Sequence, residues 1–231
     1  MREVTMFTVH QISRSLLRSY FMLLNRTYDI KGNMSLPPGA KIIAMNHTPG
    51  ADPLYLPFLL EDTPHFLLQD GLFTIPFIGW MLKETGQIPV YRGTERAKNA
   101  KEQACLLLRE GKTLAIFPEG KDVPSGRRIP AKTGVVRIAI ETGAPIIPLG
   151  LYSPPHYLTS LNFNWQGSPR VGAWQFSGKS YMRFGAAWKP SVQPDLHTQT
   201  EALMDRIYLL VAEAERESQC ESHTLLNPIP Q

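Results

Sequence analysis

The segment Asn46-His47-Thr48-Pro49-Gly50-Ala51-Asp52 sets a histidine five residues before an aspartate, directly after the apolar run Lys41-Ile42-Ile43-Ala44-Met45. That run reads as a buried strand. An imidazole at a strand end, with a carboxylate able to reach its second nitrogen, is the minimum needed to take a proton from a hydroxyl near neutral pH. The chemistry this suggests is transfer of a group onto that hydroxyl.

Spacing alone does not carry the argument, because the chain contains it twice. His65 and Asp70 have the same separation, but Phe66-Leu67-Leu68-Gln69 between them reads as an extended strand flanked by Pro64 and Gly71. Extended, that pair would sit roughly 17 Å apart on opposite faces and could not cooperate. At the first site Pro49-Gly50 dictates a turn, and Asp52-Pro53 is a helix start with aspartate as N-cap and proline as first helical residue. The loop can fold His47 back against Asp52. The plainer alternative is that Asp52 only caps its helix and His47 is an ordinary loop histidine.

Two further groups follow apolar runs. Gly86-Gln87-Ile88-Pro89-Val90-Tyr91-Arg92 delivers Arg92 at a strand end, where a guanidinium can grip a phosphate by paired hydrogen bonds or form a surface ion pair. Phe117-Pro118-Glu119-Gly120 places Glu119 on a tight turn, where it could equally be a solvated turn glutamate. Ala144-Pro145-Ile146-Ile147-Pro148-Leu149-Gly150 is a proline-bracketed buried strand of architectural character. The apolar stretch Phe73 to Leu82 is mostly core, with a part suited to lining a slot for an acyl chain.

Positioning these groups requires an alternating fold. Strands are expected at Tyr28 to Met34, at Lys41 to Met45, at Pro64 to Gln69, at Gln87 to Tyr91, at Thr113 to Phe117 and at Pro145 to Tyr152. Helices are expected from Pro53, around Phe77 to Thr85, at Thr94 to Glu110 and at Thr133 to Glu141. This predicts an α/β domain with a mixed, largely parallel sheet and helices on both faces, with His47, Arg92 and Glu119 just past strand ends where such folds hold ligands. Residues 153 to 177 read as an irregular insertion, Ser180 to Trp188 as an edge strand, and Gln199 to Glu217 as a closing helix. The expected division is an N-terminal amphipathic helix over 1–30, the main domain over 31–217 and a flexible tail over 218–231.

The 231 residues, 43% apolar and 19% charged, suit one globular domain. Cys105 and Cys220 belong to no metal-type spacing, and no disulfide or cofactor is expected. Gly111-Lys112-Thr113 copies the end of a phosphate-binding loop, but Leu106 stands where its first glycine must be. No apolar run is long enough to span a bilayer and no secretion signal is evident, so a cytoplasmic chain is expected. Met6 to Tyr28 reads as one amphipathic helix, with Val9, Ile12, Leu16, Tyr20 and Leu23 on a stripe and Arg14 and Arg18 opposite. With a net charge of +4, such a helix suits a membrane surface, or else packing on its own core. Aromatics are not interleaved with basic residues, so no nucleic acid is expected as a partner.

NHTPGAD, GQIPVYR, FPEG and APIIPLG, taken in order and joined by Pro76-Phe77-Ile78-Gly79-Trp80, resemble the glycerolipid acyltransferase family typified by the 1-acylglycerol-3-phosphate acyltransferases. The resemblance runs from Gly32 to Gly150. It implies that His47 is the general base on the acceptor hydroxyl, Asp52 its orienting partner, and Asn46, Arg92, Glu119, Gly120 and Lys121 the surroundings of the acceptor. It implies acyl-CoA or acyl carrier protein as donor co-substrate, a lysolipid acceptor, and an enzyme on the cytoplasmic face of a membrane. The family usually continues FPEG with Thr-Arg-Ser, whose arginine meets the acceptor phosphate; here the chain reads Lys121-Asp122-Val123. Asp122 would repel a phosphate, so a non-phosphorylated acceptor competes with lysophosphatidic acid. An acyl thioesterase and a non-catalytic lipid-binding protein are the alternatives of another class.

Overall fold

The computed structural model describes residues 11, 12, 15, 19, 27–32, 36–48, 52–60, 62–91, 97–121, 128–165, 167–192 and 195–226. The expected N-terminal helix lies largely outside these residues, as do Arg92 and Asp122.

Among the described residues nine strands follow in chain order: β1 (Thr27–Gly32), β2 (Lys41–Met45), β3 (His65–Gln69), β4 (Ile88–Val90), β5 (Thr113–Ile116), β6 (Ile146–Tyr152), β7 (Leu158–Trp165), β8 (Ser168–Gln175) and β9 (Lys179–Phe184). Among the described residues the helices with defined bounds are α1 (Asp52–Leu59), α2 (Ile78–Glu84), α3 (Ala97–Arg109), α4 (Gly134–Thr142) and α5 (Leu196–Leu226). Seven strands form one sheet in the order β1-β9-β6-β2-β5-β3-β4. All its pairings are parallel except that between β6 and β9. The α/β fold expected from alternation is the fold observed, with β2 at the centre between β5 and β6.

Alternation within each central strand explains the two layers. Ile42 and Ala44 of β2 join Leu114, Ile116 and Ile146 beneath α3, α4 and α5, through Ala104, Leu108, Val136, Leu203 and Ile207. Ile43 and Met45 face the other way, with Ala115, Ile147, Leu149 and Met182, and meet Tyr55 and Leu56 of α1. A strand covered on both faces reads as a near-continuous apolar run, and all five residues of β2 are buried, Lys41 with its ammonium donating to the Gly39 carbonyl and the Thr113 hydroxyl.

Three expectations are corrected. The insertion after β6 is not irregular: β7 and β8 form an antiparallel hairpin in register from Leu158↔Gln175 to Trp165↔Ser168, with Gly167 at φ +77° beside the turn. β9 is not an edge strand, because β1 pairs with it from Thr27↔Lys179 to Gly32↔Phe184, which also draws residues ahead of position 31 into the main sheet. The last helix continues through the expected tail to Leu226. Its added turns are anchored on β9: Lys179 Nζ and Tyr181 Oη both donate to Glu221, and the nearly buried Arg183 pairs with Glu217.

Candidate active site

Asn46 continues the line of β2 and ties it to β6. Its Nδ2 donates to the Leu151 carbonyl at 2.9 Å, and its Oδ1 accepts from the Leu151 N–H at 2.8 Å. Asn46 is 4% exposed, and its amide serves the scaffold where it was expected to meet substrate. The clamp fixes the point at which the chain leaves the sheet, one residue before His47.

His47 is half-buried at this carboxyl edge, and the turn after β5 holds it from two sides. The Phe117 ring stacks on the imidazole at 4.2 Å between centroids and 24° between planes, and Phe66 of β3 lies beyond Phe117 at 6.1 Å. The His47 N–H donates to Glu119 Oε2 at 2.9 Å. Both contacts follow from register: Ala44 and Ile116 are paired neighbours on β2 and β5, so the residues just past them emerge side by side. The Phe117–Gly120 segment closes as a turn through Gly120 N–H to the Phe117 carbonyl at 3.0 Å.

Glu119 is 3% exposed, so it is not a solvated turn residue. Its second oxygen accepts from the Tyr208 hydroxyl of α5. Burial first, then the bond to and charge of Glu119, push the Tyr208 phenol above its ordinary range, which keeps it a proton donor. Arg128 lies over the Tyr208 ring at 5.9 Å and pairs with Glu201 and Asp205 on the same helix.

The approach of α5 depends on Gly150, the last residue of the fourth sequence block. A Cβ there would stand 2.4 Å from Val211 N and 2.5 Å from the Leu210 carbonyl carbon, too close for any side chain. Glycine at this point of β6 lets the helix pack close enough to present Tyr208, two residues before Leu210, to Glu119.

Lys121 is exposed beside this turn. Gly120, at φ +66°, faces Lys132, whose Nζ is 3.2 Å from the ideal position of a Cβ at residue 120. The Lys132 N–H donates to the Pro118 carbonyl at 2.9 Å, which holds the lysine backbone against the same turn. α1 begins at Asp52, five residues beyond His47. The Asp52 side chain is not among those described.

The structure therefore brings His47, Phe117, Glu119, Gly120, Tyr208 and Lys132 to one place, and leaves Asn46 behind them as a clamp. Tyr208 carries no motif and stands 89 residues from Glu119, so only packing reveals it. Lys132 lies beyond the turn block, and its contact with Gly120 was not legible in the spacing. His65, which shares the histidine-aspartate spacing, pairs through Nδ1 with the Gly86 carbonyl at 2.8 Å, and burial lowers its pKa; it has a scaffold role.

A histidine held through its backbone N–H by a buried carboxylate and stacked on an aromatic ring thus stands at the carboxyl edge of a mostly parallel sheet, where such folds hold ligands. The acyltransferase family pattern matches residues 28–152, and the chain belongs to that family. It is 32% identical over 126 residues to a chloroplastic 1-acyl-sn-glycerol-3-phosphate acyltransferase of Brassica napus, covering 53% of this chain and 36% of that one. It is 31% identical over 138 residues to a 1-acyl-sn-glycerol-3-phosphate acyltransferase of Borreliella burgdorferi, covering 58% and 55% respectively. The matched stretch thus spans about a third to about half of these relatives' length. The fold is similar to a crystal structure of the 1-acyl-sn-glycerophosphate acyltransferase from Thermotoga maritima, with a TM-score of 0.67 at 18% identity, covering 94% of this chain and 81% of that one.

Proposed function

We propose that this protein is an O-acyltransferase that moves a fatty acyl group from a thioester, acyl-CoA or acyl carrier protein, to a hydroxyl of a lysophospholipid. The first choice of acceptor is 1-acylglycerol-3-phosphate, the substrate named for the relatives it matches. The observation that carries the reading is the grip of the Phe117–Gly120 turn on His47, by ring stack and by backbone hydrogen bond, within the stretch that matches the family.

In this reading the His47 imidazole takes the acceptor's hydroxyl proton as its oxygen attacks the thioester carbonyl. The tetrahedral intermediate collapses with cleavage of the C–S bond, and the imidazolium returns the proton to the departing thiolate. Asp52 orients the imidazole and offsets its charge, as an acidic partner does in other base-assisted sites. No acyl-enzyme is required, and Cys105 suits none: burial first, then Glu141, raise the pKa of its thiol. Arg92, by the resemblance of its block, is assigned to binding a phosphate of donor or acceptor.

The acceptor's headgroup follows from the cations at the turn. Lys121-Asp122-Val123 argues against a phosphate, and for that reason a non-phosphorylated lipid acceptor is the second reading. Lys132 argues for one: its ammonium reaches over Gly120 beside Lys121, and a lysine serves a phosphate as a point charge. The lipid substrate places the enzyme at a membrane surface, with the amphipathic segment 1–30 as an anchor. Among the described residues no helix is long and apolar enough to cross a membrane.

The test is labelled acyl-CoA and acyl carrier protein donors offered to lysophosphatidic acid, other lysophospholipids and neutral hydroxylated lipids, with products identified by mass spectrometry. Acylated lysophospholipid is the expected product. Free fatty acid in stoichiometric amount, formed faster than any transfer product, would make the protein a thioesterase.

A further inference from the structure

Phe77 is the one non-glycine residue with positive φ among those described, at φ 64° and ψ −53°. It is the apex of a three-residue turn closed by Ile78 N–H to the Pro76 carbonyl at 2.7 Å, a γ-turn of the strained hand. The strain does not serve packing of the Phe77 ring, which is 68% exposed. Ile78 is 40% and Trp80 48% exposed beside it, with the two rings 5.9 Å apart. The segment cannot relax easily, because a Cβ at Gly79 would stand 2.2 Å from the Phe73 carbonyl oxygen. The chain here holds an aromatic cluster in an outward position against a backbone cost.

The β7–β8 hairpin presents a second such cluster. Cross-strand register puts Thr159, Leu161, Phe163, Gly172 and Trp174 on one face, and Ser160, Asn162, Asn164, Val171 and Ala173 on the other. On the first face Phe163 lies across Gly172 and remains 48% exposed, with Leu161 at 38%. A two-stranded ribbon is marginal in water unless something covers one face. Its base is tied to the fold beside the site: Gln175 and Tyr55 of α1 both bond Ser180, and Ser180 also meets Ser153.

Both clusters stand at the sheet edge that carries His47. Phe77 follows the carboxyl end of β3 and the hairpin follows that of β6, on opposite sides of β2 along the sheet. Tryptophan is enriched where protein meets the lipid headgroup region, and phenylalanine is used with it on surfaces that dip into the headgroup–acyl boundary. The charge is complementary to an anionic bilayer around the hairpin: no aspartate or glutamate occurs between Glu141 and Asp195, whereas Arg170 and Lys189 do, and the further cations Lys179 and Arg183 are offset by Glu221 and Glu217.

We propose that the Phe77 turn and the aromatic face of the β7–β8 hairpin are two prongs that dock the protein on a lipid bilayer, flanking His47. The proposal rests on the acyltransferase reading only for why a bilayer is met; the contact itself is a separate claim. Two outlying aromatic patches on either side of a central site suit a broad, flat surface better than a compact self-association patch. The prongs also set the direction of substrate entry, because an amphiphile leaving that bilayer arrives at the edge where His47 stands.

The experiment is co-sedimentation of the full chain with vesicles of phosphatidylcholine and phosphatidylglycerol, without donor or acceptor. Phe77→Gly removes the ring where glycine adopts the turn without strain, so it folds at least as well as the parent. It is expected to lower vesicle partitioning about tenfold, as is Phe163→Ser, with a larger loss when combined. Val171→Ser, on the opposite face of the ribbon and 72% exposed, is expected to partition as the parent does. Unchanged partitioning of folded Phe77→Gly and Phe163→Ser overturns the proposal. So does an equal loss in Val171→Ser, or a dimer of the parent that Phe163→Ser breaks while vesicle binding persists. A parent that binds vesicles but transfers no acyl group leaves the surface standing and removes the acyltransferase reading. One that acylates a water-soluble acceptor but ignores vesicles does the reverse.

Discussion

Tyr208→Phe tests the arrangement around His47 most sharply, because it removes one hydroxyl and leaves every ring contact in place. The hydroxyl donates to Glu119, a carboxylate 3% exposed, whose other oxygen holds the His47 N–H at 2.9 Å. A hydrogen bond to a charged group contributes about 1.5–3 kcal/mol net, and a buried carboxylate with a lost donor stands at the upper part of that range. For a chain of this size each kcal/mol moves the melting temperature by roughly 2–4 °C, so a fall of about 4–12 °C is expected by calorimetry.

The same substitution is expected to lower kcat for acyl transfer about tenfold and to leave KM for the thioester unchanged, because it loosens the support of the base without touching the donor. Glu119→Gln keeps an acceptor for the His47 N–H but removes the charge. Since Tyr208 and Glu119 share one bond, the two substitutions together should cost clearly less than the sum of each alone. The wild-type also loses this bond's stability as pH rises above about 10, because the unfolded phenol ionises there while the folded one resists. Tyr208→Phe has no such component. An unchanged melting temperature, or strictly additive effects with Glu119→Gln, would refute the link. A lowered melting temperature with unchanged kcat would reduce Tyr208 to a packing residue.

His47→Ala should fold normally and reduce transfer by at least about a hundredfold, and Asp52→Asn by a similar order; normal turnover in a folded His47→Ala protein ends the mechanism. Lys132→Ala should raise KM about tenfold for a phosphate-bearing acceptor and leave a neutral lipid acceptor unaffected, as read from initial rates on both. Gly150→Ala should destabilise by about 1–3 kcal/mol or more, since its Cβ meets α5 backbone at 2.4 Å, and should lower kcat with it because Tyr208 rides on that helix. Burial first, with the bond to and charge of Glu221 adding to it and a hydrogen bond with Ser218 opposing it, pushes the Tyr181 phenol up to about 12. Stability should therefore decline from about pH 10, where the unfolded phenol ionises, toward pH 12, and Tyr181→Phe should decline less in urea titrations over that window.

The central sheet was legible because its signals are local. β2, β5 and β6 are continuous apolar runs between turns, and a strand buried on both faces cannot look otherwise. The hairpin was hidden by its composition: Ser, Asn, Gly and Pro interrupt it, and its regularity comes from cross-strand pairing that a single window does not contain. The length of α5 was hidden for a related reason. Glu221 falls in the expected flexible tail, and only Lys179, Tyr181 and Arg183, brought alongside by β9, give it and Glu217 the partners that hold the last turns.

The site divides along the same line. His47 announces itself by its position after a strand, but what fixes it is the register that sets Phe117 and Glu119 beside it, and register is a property of paired strands. Three of the four sequence blocks then acquire distinct physical roles. Asn46 closes the strand ends, Phe117 and Glu119 hold His47, and Gly150 admits the helix whose Tyr208 completes the carboxylate's bonds. Residues so coupled cannot be exchanged singly without moving His47, which gives a physical reason for reading them together. Lys121 lies exposed one residue past the turn, outside that set of contacts. It can change without disturbing His47, and it is at Lys121-Asp122-Val123 that this chain leaves the pattern it resembles. The chemistry at His47 and the choice of acceptor are in this way separable within one turn, so substitutions at 121 and 132 should alter which acceptor is used while those at 117 and 119 alter the rate for all of them.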